Sequence, residues 1–232
     1  FIMSAKHAMK LHSNGSRSWN AADCFAAGYQ KGSVLRIGML NFLTYDEGEV
    51  FPGPKLNVVL GPNGTGKSTI THALCLACAG SPSTLGRSND LTQFVKHGKE
   101  GMESYCEVDI LADKGDTKGV HCVRRTINSQ TKSSVYSLNS KVTTEKAIKE
   151  LMNSLHIDVD NLTCFMAQDK VGKFTTTTPK GIMEMTLQSI MSGEDSSKTL
   201  YDVQQSLNDI EDSKRRKGQE LRAKQDAYDN CI

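Results

Sequence analysis

The chain has 232 residues, enough for one large domain or a domain with an appendage at about 100–200 residues per domain. Its 28 basic and 26 acidic residues leave a formal charge of +2. That excludes nucleic-acid binding driven by bulk charge alone, and equally a disordered acidic or basic tail. The 38% apolar content supports a core that leaves part of the chain outside it, and no run approaches the roughly 18 apolar residues of a membrane span.

In chain order, residues 1–33 show no sustained period and are expected to form a flexible N-terminal extension. Val34–Asn41 reads as a strand with Leu35, Ile37 and Met39 on one face. Thr44–Pro54, rich in acids, Gly and Pro, is a turn or short hairpin. Leu56–Leu60 (LNVVL) reads as a short buried strand, followed by a glycine-rich turn and a helix over Lys67–Gly80. Cys75 and Cys78 lie inside that helical pattern. No second Cys/His pair follows at zinc spacing, so they are expected to be buried small hydrophobes. Seven cysteines, an odd number scattered along the chain, do not make a disulfide framework and suit a reducing compartment.

Met102–Leu111, Val120–Asn128 and Val135–Leu138 alternate as strands and predict an antiparallel lobe with hairpin connections. Thr143 or Thr144 caps a helix whose Ile148, Leu151, Met152 and Leu155 recur at helical spacing. Leu162–Met166 reads as another short strand, and a helix follows Pro179. From Leu200 the chain is polar and free of Pro. In heptad register, Leu200, Leu207, Lys214, Leu221 and Tyr228 fall at one seam position and Val203, Ile210, Lys217, Lys224 and Cys231 at the other; seven of the ten are apolar, which predicts the start of a coiled coil.

One motif carries chemistry. Gly61-Pro62-Asn63-Gly64-Thr65-Gly66-Lys67-Ser68 fits the phosphate-loop pattern at every constrained position, between an apolar strand pattern and a helix, and Thr69 adds a second hydroxyl. Glycines let the backbone turn its N–H groups toward phosphate oxygens, and the helix N-terminus adds its positive dipole end. Lys67 supplies a compact charge for the β- and γ-phosphates, and the Ser68 hydroxyl can ligate Mg²⁺. The loop predicts nucleotide phosphates with Mg²⁺, held by Gly61 through Thr69, and the family resemblance given next implies that the nucleotide is ATP. A strand–loop–helix of this kind implies an α/β phosphate-loop NTPase with the nucleotide at the strand's C-terminal end.

The letters around the loop resemble the ATPase heads of the structural maintenance of chromosomes (SMC) family. Asn41–Asp46 (NFLTYD), the loop itself, Gly86–Gly98 (GRSNDLTQFVKHG) and Phe165–Phe174 (FMAQDKVGKF) carry the match, which spans about residues 34–232. The resemblance implies an ABC-type half-head over 34–194 with an antiparallel β-lobe, leading into a coiled coil over 195–232. It implies that Gln168 reaches the Mg²⁺ and the attacking water, and that Arg87 approaches the phosphates or couples DNA contact to hydrolysis. Asn41 and Phe42 would line the adenine side.

No four-hydrophobe run ending in Asp-Glu follows the loop, and Ser192-Gly193-Glu194 lacks the second glycine of a signature motif. In SMC proteins the C-terminal half of the same polypeptide and a partner's head supply these parts. This segment alone is therefore expected to be inactive in hydrolysis. The match is to the branch whose heterodimer partner is the sixth SMC protein, with non-SMC subunits and DNA as further partners, no membrane, and a nuclear, chromosome-associated location. Lys96, His97, Lys99, Arg124, Arg125, Lys132 and Lys141 could form a face that tracks DNA phosphates. Two alternatives share the loop: a transporter-type cassette, which the heptads argue against, and a double-strand-break repair ATPase with a zinc-hook coil, which the quoted segments fit less well.

Overall fold

The structure is a computed structural model, and it describes residues 9–11, 17–86, 90–113, 119–190 and 196–229. The chain divides into two units, Phe1–Ile190 and Met191–Ile232.

The first unit is built on a six-stranded antiparallel sheet. Its strands are β3 (Val34–Phe42), β4 (Tyr45–Val50), β5 (Ser104–Leu111), β6 (Val120–Asn128), β7 (Ser133–Leu138) and β8 (Lys141–Thr143), in spatial order β4-β3-β5-β6-β7-β8. Two-residue alternation sends Ile37 and Met39 of β3, Cys106, Val108 and Ile110 of β5, and Val123 and Ile127 of β6 to one face, all buried. Helix α2 (Lys67–Ala77) lies on that face, contributing Ala73, Cys75, Leu76 and Ala77 to the same core. The chain turns tightly as it leaves the helix: a Cβ on Gly80 would sit 2.4 Å from the Cys75 sulfur. Cys75 and Cys78 are buried as the sequence predicts, and burial pushes the Cys75 thiol up to about 12.

Helix α3 (Glu145–Ser154) starts at Thr144, whose hydroxyl oxygen accepts from the Ala147 N–H. It buries Ile148 and Met152, with Leu155 just beyond its end, at the predicted spacing.

Three expectations fail. The first concerns residues 1–33. Residues 1–8 and 12–16 lie outside the described ones. The rest is structured: β1 (Met9–Leu11) pairs with β2 (Arg17–Trp19), and helix α1 (Ala21–Ala26) begins at Asn20, whose side chain accepts from the N–H groups of Ala22 and Asp23. Cys24 and Tyr29 join Leu35, Leu111 and Val120 in a second small core, and the Ser33 carbonyl accepts from the Leu111 N–H.

The second is Leu56–Leu60, which forms no strand. Leu56, Val58 and Leu60 are 83%, 69% and 86% exposed. A strand exists only against a neighbour, and no described strand runs beside this one. The described sheet is accordingly antiparallel throughout.

The third is Leu162–Met166, which is a turn rather than a strand. The Asn161 side-chain oxygen accepts from the Thr163 N–H and hydroxyl, and its amide donates to the Met185 carbonyl in α5 (Pro179–Ile190), which follows the short α4 (Val171–Thr175). Local side-chain bonding here outcompetes extension of a short apolar run.

The second unit carries helix α6 (Ser196–Asp229), 34 residues and about 50 Å long. Its seam residues Leu207, Ile210 and Leu221 are exposed. Among the described residues no helix is long and apolar enough to cross a membrane.

Candidate nucleotide-binding site

Gly66 caps α2 in the left-handed region, at φ +88, and no side chain bonds the helix start. The Thr69 N–H turns back to the Gly66 carbonyl at 3.0 Å, and the Lys67 and Ser68 amides ahead of it, which have no intrahelical carbonyl to bond, are left for a ligand. Lys67 folds back over the loop, its Nζ donating to the carbonyls of Gly61 at 2.8 Å and Pro62 at 2.7 Å. The Thr65 hydroxyl donates to the same Pro62 carbonyl at 2.8 Å, closing the loop on itself. Gly64, also at positive φ, has open space where a Cβ would stand. Pro62 and Asn63 are exposed with the rest of the loop crown, Ser68 is exposed on the first helical turn, and Thr69 is buried. The donor set is one ammonium, an exposed hydroxyl and uncapped amides. It fits a polyphosphate with a hard cation, and holds no carboxylate that would repel one.

The hairpin between β3 and β4 reaches this loop, a contact the sequence reading did not anticipate. The Thr44 and Thr69 hydroxyls lie 3.2 Å apart, and the Tyr45 hydroxyl donates to the Thr65 carbonyl at 3.5 Å. The only prior signal was the shared NFLTYD segment.

Other expected site residues fall differently. Gln168 is exposed and opens a 3-10 turn over Gln168–Lys170. Arg87 and Ser192–Glu194 lie outside the described residues. Asn41 and Phe42 are both engaged within the lobe. Phe42 is fully buried with its ring 6.0 Å from that of Phe94, and Asn41 donates its amide to the Glu103 carbonyl.

The basic residues do not form one face. Arg124 and Arg125 are neighbours on β6 and point to opposite sides of the sheet. Arg124 bonds Glu107 at 2.5 Å and lies over the Tyr105 ring at 4.0 Å, whereas Arg125 is buried against Gly80 and Tyr136. Lys96 is paired with Asp46 at 2.5 Å.

The outer sheet face holds a buried ionic network. Arg36, 2% exposed, bonds Glu107, donates from Nε to Asp109 at 2.9 Å, and reaches Glu49 at 3.1 Å. Glu107, Asp109 and Cys122 are spaced closely enough to surround a metal ion. Two guanidiniums already neutralise those carboxylates, so the cluster reads as an ion network rather than a metal centre. Burial alone would raise the Glu107 carboxyl; Arg36 and Arg124 outweigh it and hold the group below the ordinary glutamate range.

A phosphate loop at the head of a helix that packs on an antiparallel lobe defines a phosphate-loop nucleotide-binding head. The chain belongs to the family described as AAA domain, which matches residues 36–230. Within it the chain is similar to structural maintenance of chromosomes protein 5. The Schizosaccharomyces pombe protein is 40% identical over 151 residues, 65% of this chain and 14% of that protein. The Caenorhabditis elegans protein is 44% identical over 147 residues, 63% of this chain and 13% of that protein. The chain thus spans about one seventh of the length of these relatives. A solved Smc head domain with a coiled coil and joint, from Pyrococcus yayanosii, aligns with TM-score 0.57 at 17% identity, covering 79% of this chain and 36% of that one. That likeness shows the fold.

Proposed function

We propose that this chain is the ATP-binding N-terminal head segment of an SMC-type ATPase. As part of the whole protein it would entrap DNA by ATP-gated head engagement in chromosome maintenance and recombinational repair. The observation that carries this reading is the open phosphate loop beside an exposed apolar segment. Leu56–Leu60 leads directly into Gly61, yet presents its apolar side chains to solvent. An extended segment of this kind is stable when flanked by other strands, and in an SMC polypeptide the C-terminal half would provide them.

In that assembly Gly61–Thr69 would cradle the triphosphate, Lys67 would exchange the Gly61 and Pro62 carbonyls for phosphate oxygens, and the Ser68 hydroxyl would ligate Mg²⁺. Bound there, Mg²⁺ would neutralise charge on the phosphates and fix their geometry. Gln168 orients the water with its side-chain amide, and Arg87 answers the phosphates or DNA. The carboxylate near the metal comes from the C-terminal half, and the signature motif from the sister chain, the sixth SMC protein. Non-SMC subunits complete a complex on chromosomes in the nucleus. Residues 195–232 begin the coiled coil. The exposed apolar residues of α6, at heptad spacing, support that part of the reading.

The test is ATP turnover by the segment alone and by the full-length protein with its sister chain. The expected result is turnover only in the assembled protein. Robust turnover by the segment alone, lost on Lys67→Ala, would overturn the half-head reading.

A further inference from the structure

We propose that Thr44 and Tyr45, at the β3–β4 hairpin turn, are positioning residues that brace the phosphate loop in its anion-ready form. The proposal rests on the nucleotide-binding reading above and assigns two residues outside the motif to the same site.

A phosphate loop has two natural anchors, the strand before it and the helix after it. Those anchors act at its two ends, through Leu56–Leu60 and the first turn of α2. The hairpin turn adds a third, over Thr65, Gly66 and Thr69, through three contacts. The Thr44 hydroxyl meets the Thr69 hydroxyl on the first turn of α2 at 3.2 Å. The Tyr45 hydroxyl donates to the Thr65 carbonyl at 3.5 Å, the long end of the useful range. Between them the turn closes over Gly66: a Cβ there would lie 2.6 Å from the Thr44 hydroxyl and 2.8 Å from the Tyr45 ring. The same Gly66 holds the left-handed conformation that aims the loop into the helix.

The brace is itself anchored. Leu43, at φ +48, makes the tight turn, and its N–H donates to the Phe94 carbonyl at 2.8 Å. Phe42 is fully buried against Phe94. On the other side Asp46 is held by Lys96. The turn is therefore a fixed point of the β-lobe, and its contacts carry that rigidity into the loop. A pre-shaped loop binds phosphate without first losing conformational entropy, so the brace acts on affinity.

The experiment uses the full-length protein with its sister chain. It measures the Kd of a fluorescent ATP analogue with Mg²⁺, and kcat at saturating ATP. Thr44→Val, which removes the hydroxyl at constant shape, raises Kd about fivefold, the scale of one lost hydrogen bond, while kcat at saturation holds. Thr44→Ser restores the affinity, which a merely space-filling role would not require. Tyr45→Ala raises Kd as well, whereas Tyr45→Phe, which keeps the ring over Gly66, retains most of the affinity. Lys67→Ala is the control for the site itself. Wild-type Kd in both Thr44→Val and Tyr45→Ala, with binding lost in Lys67→Ala, would overturn the brace and leave the nucleotide site standing. Equal weakening by Thr44→Ser and Thr44→Val would also overturn it. Wild-type binding by Lys67→Ala would overturn the nucleotide reading and the brace with it. If Thr44→Val does not fold, the contrast between Tyr45→Ala and Tyr45→Phe decides.

Discussion

Trp19 and Asp109, ninety positions apart, meet on the outer face of the sheet: the indole Nε1–H donates to Asp109 Oδ2 over 3.0 Å. The same carboxylate oxygen accepts from the Arg36 guanidinium, so the N-terminal segment is tied into the buried ionic network. Tyr29, in the same segment, donates its hydroxyl to the Pro52 carbonyl at 2.7 Å, on the path from β4 toward the phosphate loop.

The network predicts an asymmetry between two variants. Trp19→Phe removes one hydrogen bond and costs about 1 kcal/mol. Arg36→Met leaves Glu107 and Asp109 buried without their main counter-ion and costs about 3–5 kcal/mol. Denaturant unfolding of each variant measures the difference. Trp19 is the single tryptophan, so its fluorescence also reports whether the segment releases before the sheet melts. Equal small losses in both variants would mean that the network carries little of the stability.

Glu107 gives the pH dependence. Its carboxyl is held below the ordinary value because Arg36 and Arg124 outweigh the burial that would raise it. A depressed folded pKa means the unfolded chain binds more protons in that range. The stabilisation is therefore complete above the unfolded value of about 4.3 and is lost as pH falls through the folded value. Acid titration of stability should show that loss in the wild type and a flatter profile in Glu107→Gln, which is less stable at neutral pH. Identical acid profiles would remove Glu107 from the account.

The legible part of the fold was local. The phosphate loop is eight consecutive residues of fixed type, and the β-lobe shows two-residue alternation that needs no knowledge of its neighbours. What escaped depends on distant partners. Residues 17–33 have no period, because Trp19 and Tyr29 dock as single side chains on Asp109 and Pro52 rather than as a repeating face. Leu162–Met166 has a strand's composition, but Asn161 bonds it into a turn. Thr44 and Tyr45 could not be assigned to the site from spacing, since only the fold brings the hairpin turn to the loop.

Leu56–Leu60 differs from its sequence pattern for a related reason: the composition of a buried strand does not say where its neighbours come from. This yields a prediction by hydrogen exchange. In the full-length protein the amides of residues 56–60 should be protected, because the segment is then paired within a sheet. In the isolated segment they should exchange as an open chain does. Fast exchange in both would mean that the exposed run is a surface loop and not a strand awaiting neighbours.

The most direct test of the central claim is ATP binding and hydrolysis by the full-length protein with its sister chain, comparing wild type, Lys67→Ala and Gln168→Ala. The account predicts that Lys67→Ala loses both. Gln168→Ala keeps binding and loses hydrolysis by about a hundredfold or more, the scale of a group that positions the reacting water. Hydrolysis at the wild-type rate in Lys67→Ala would contradict the account, because the loop built around that ammonium would then not be the nucleotide site.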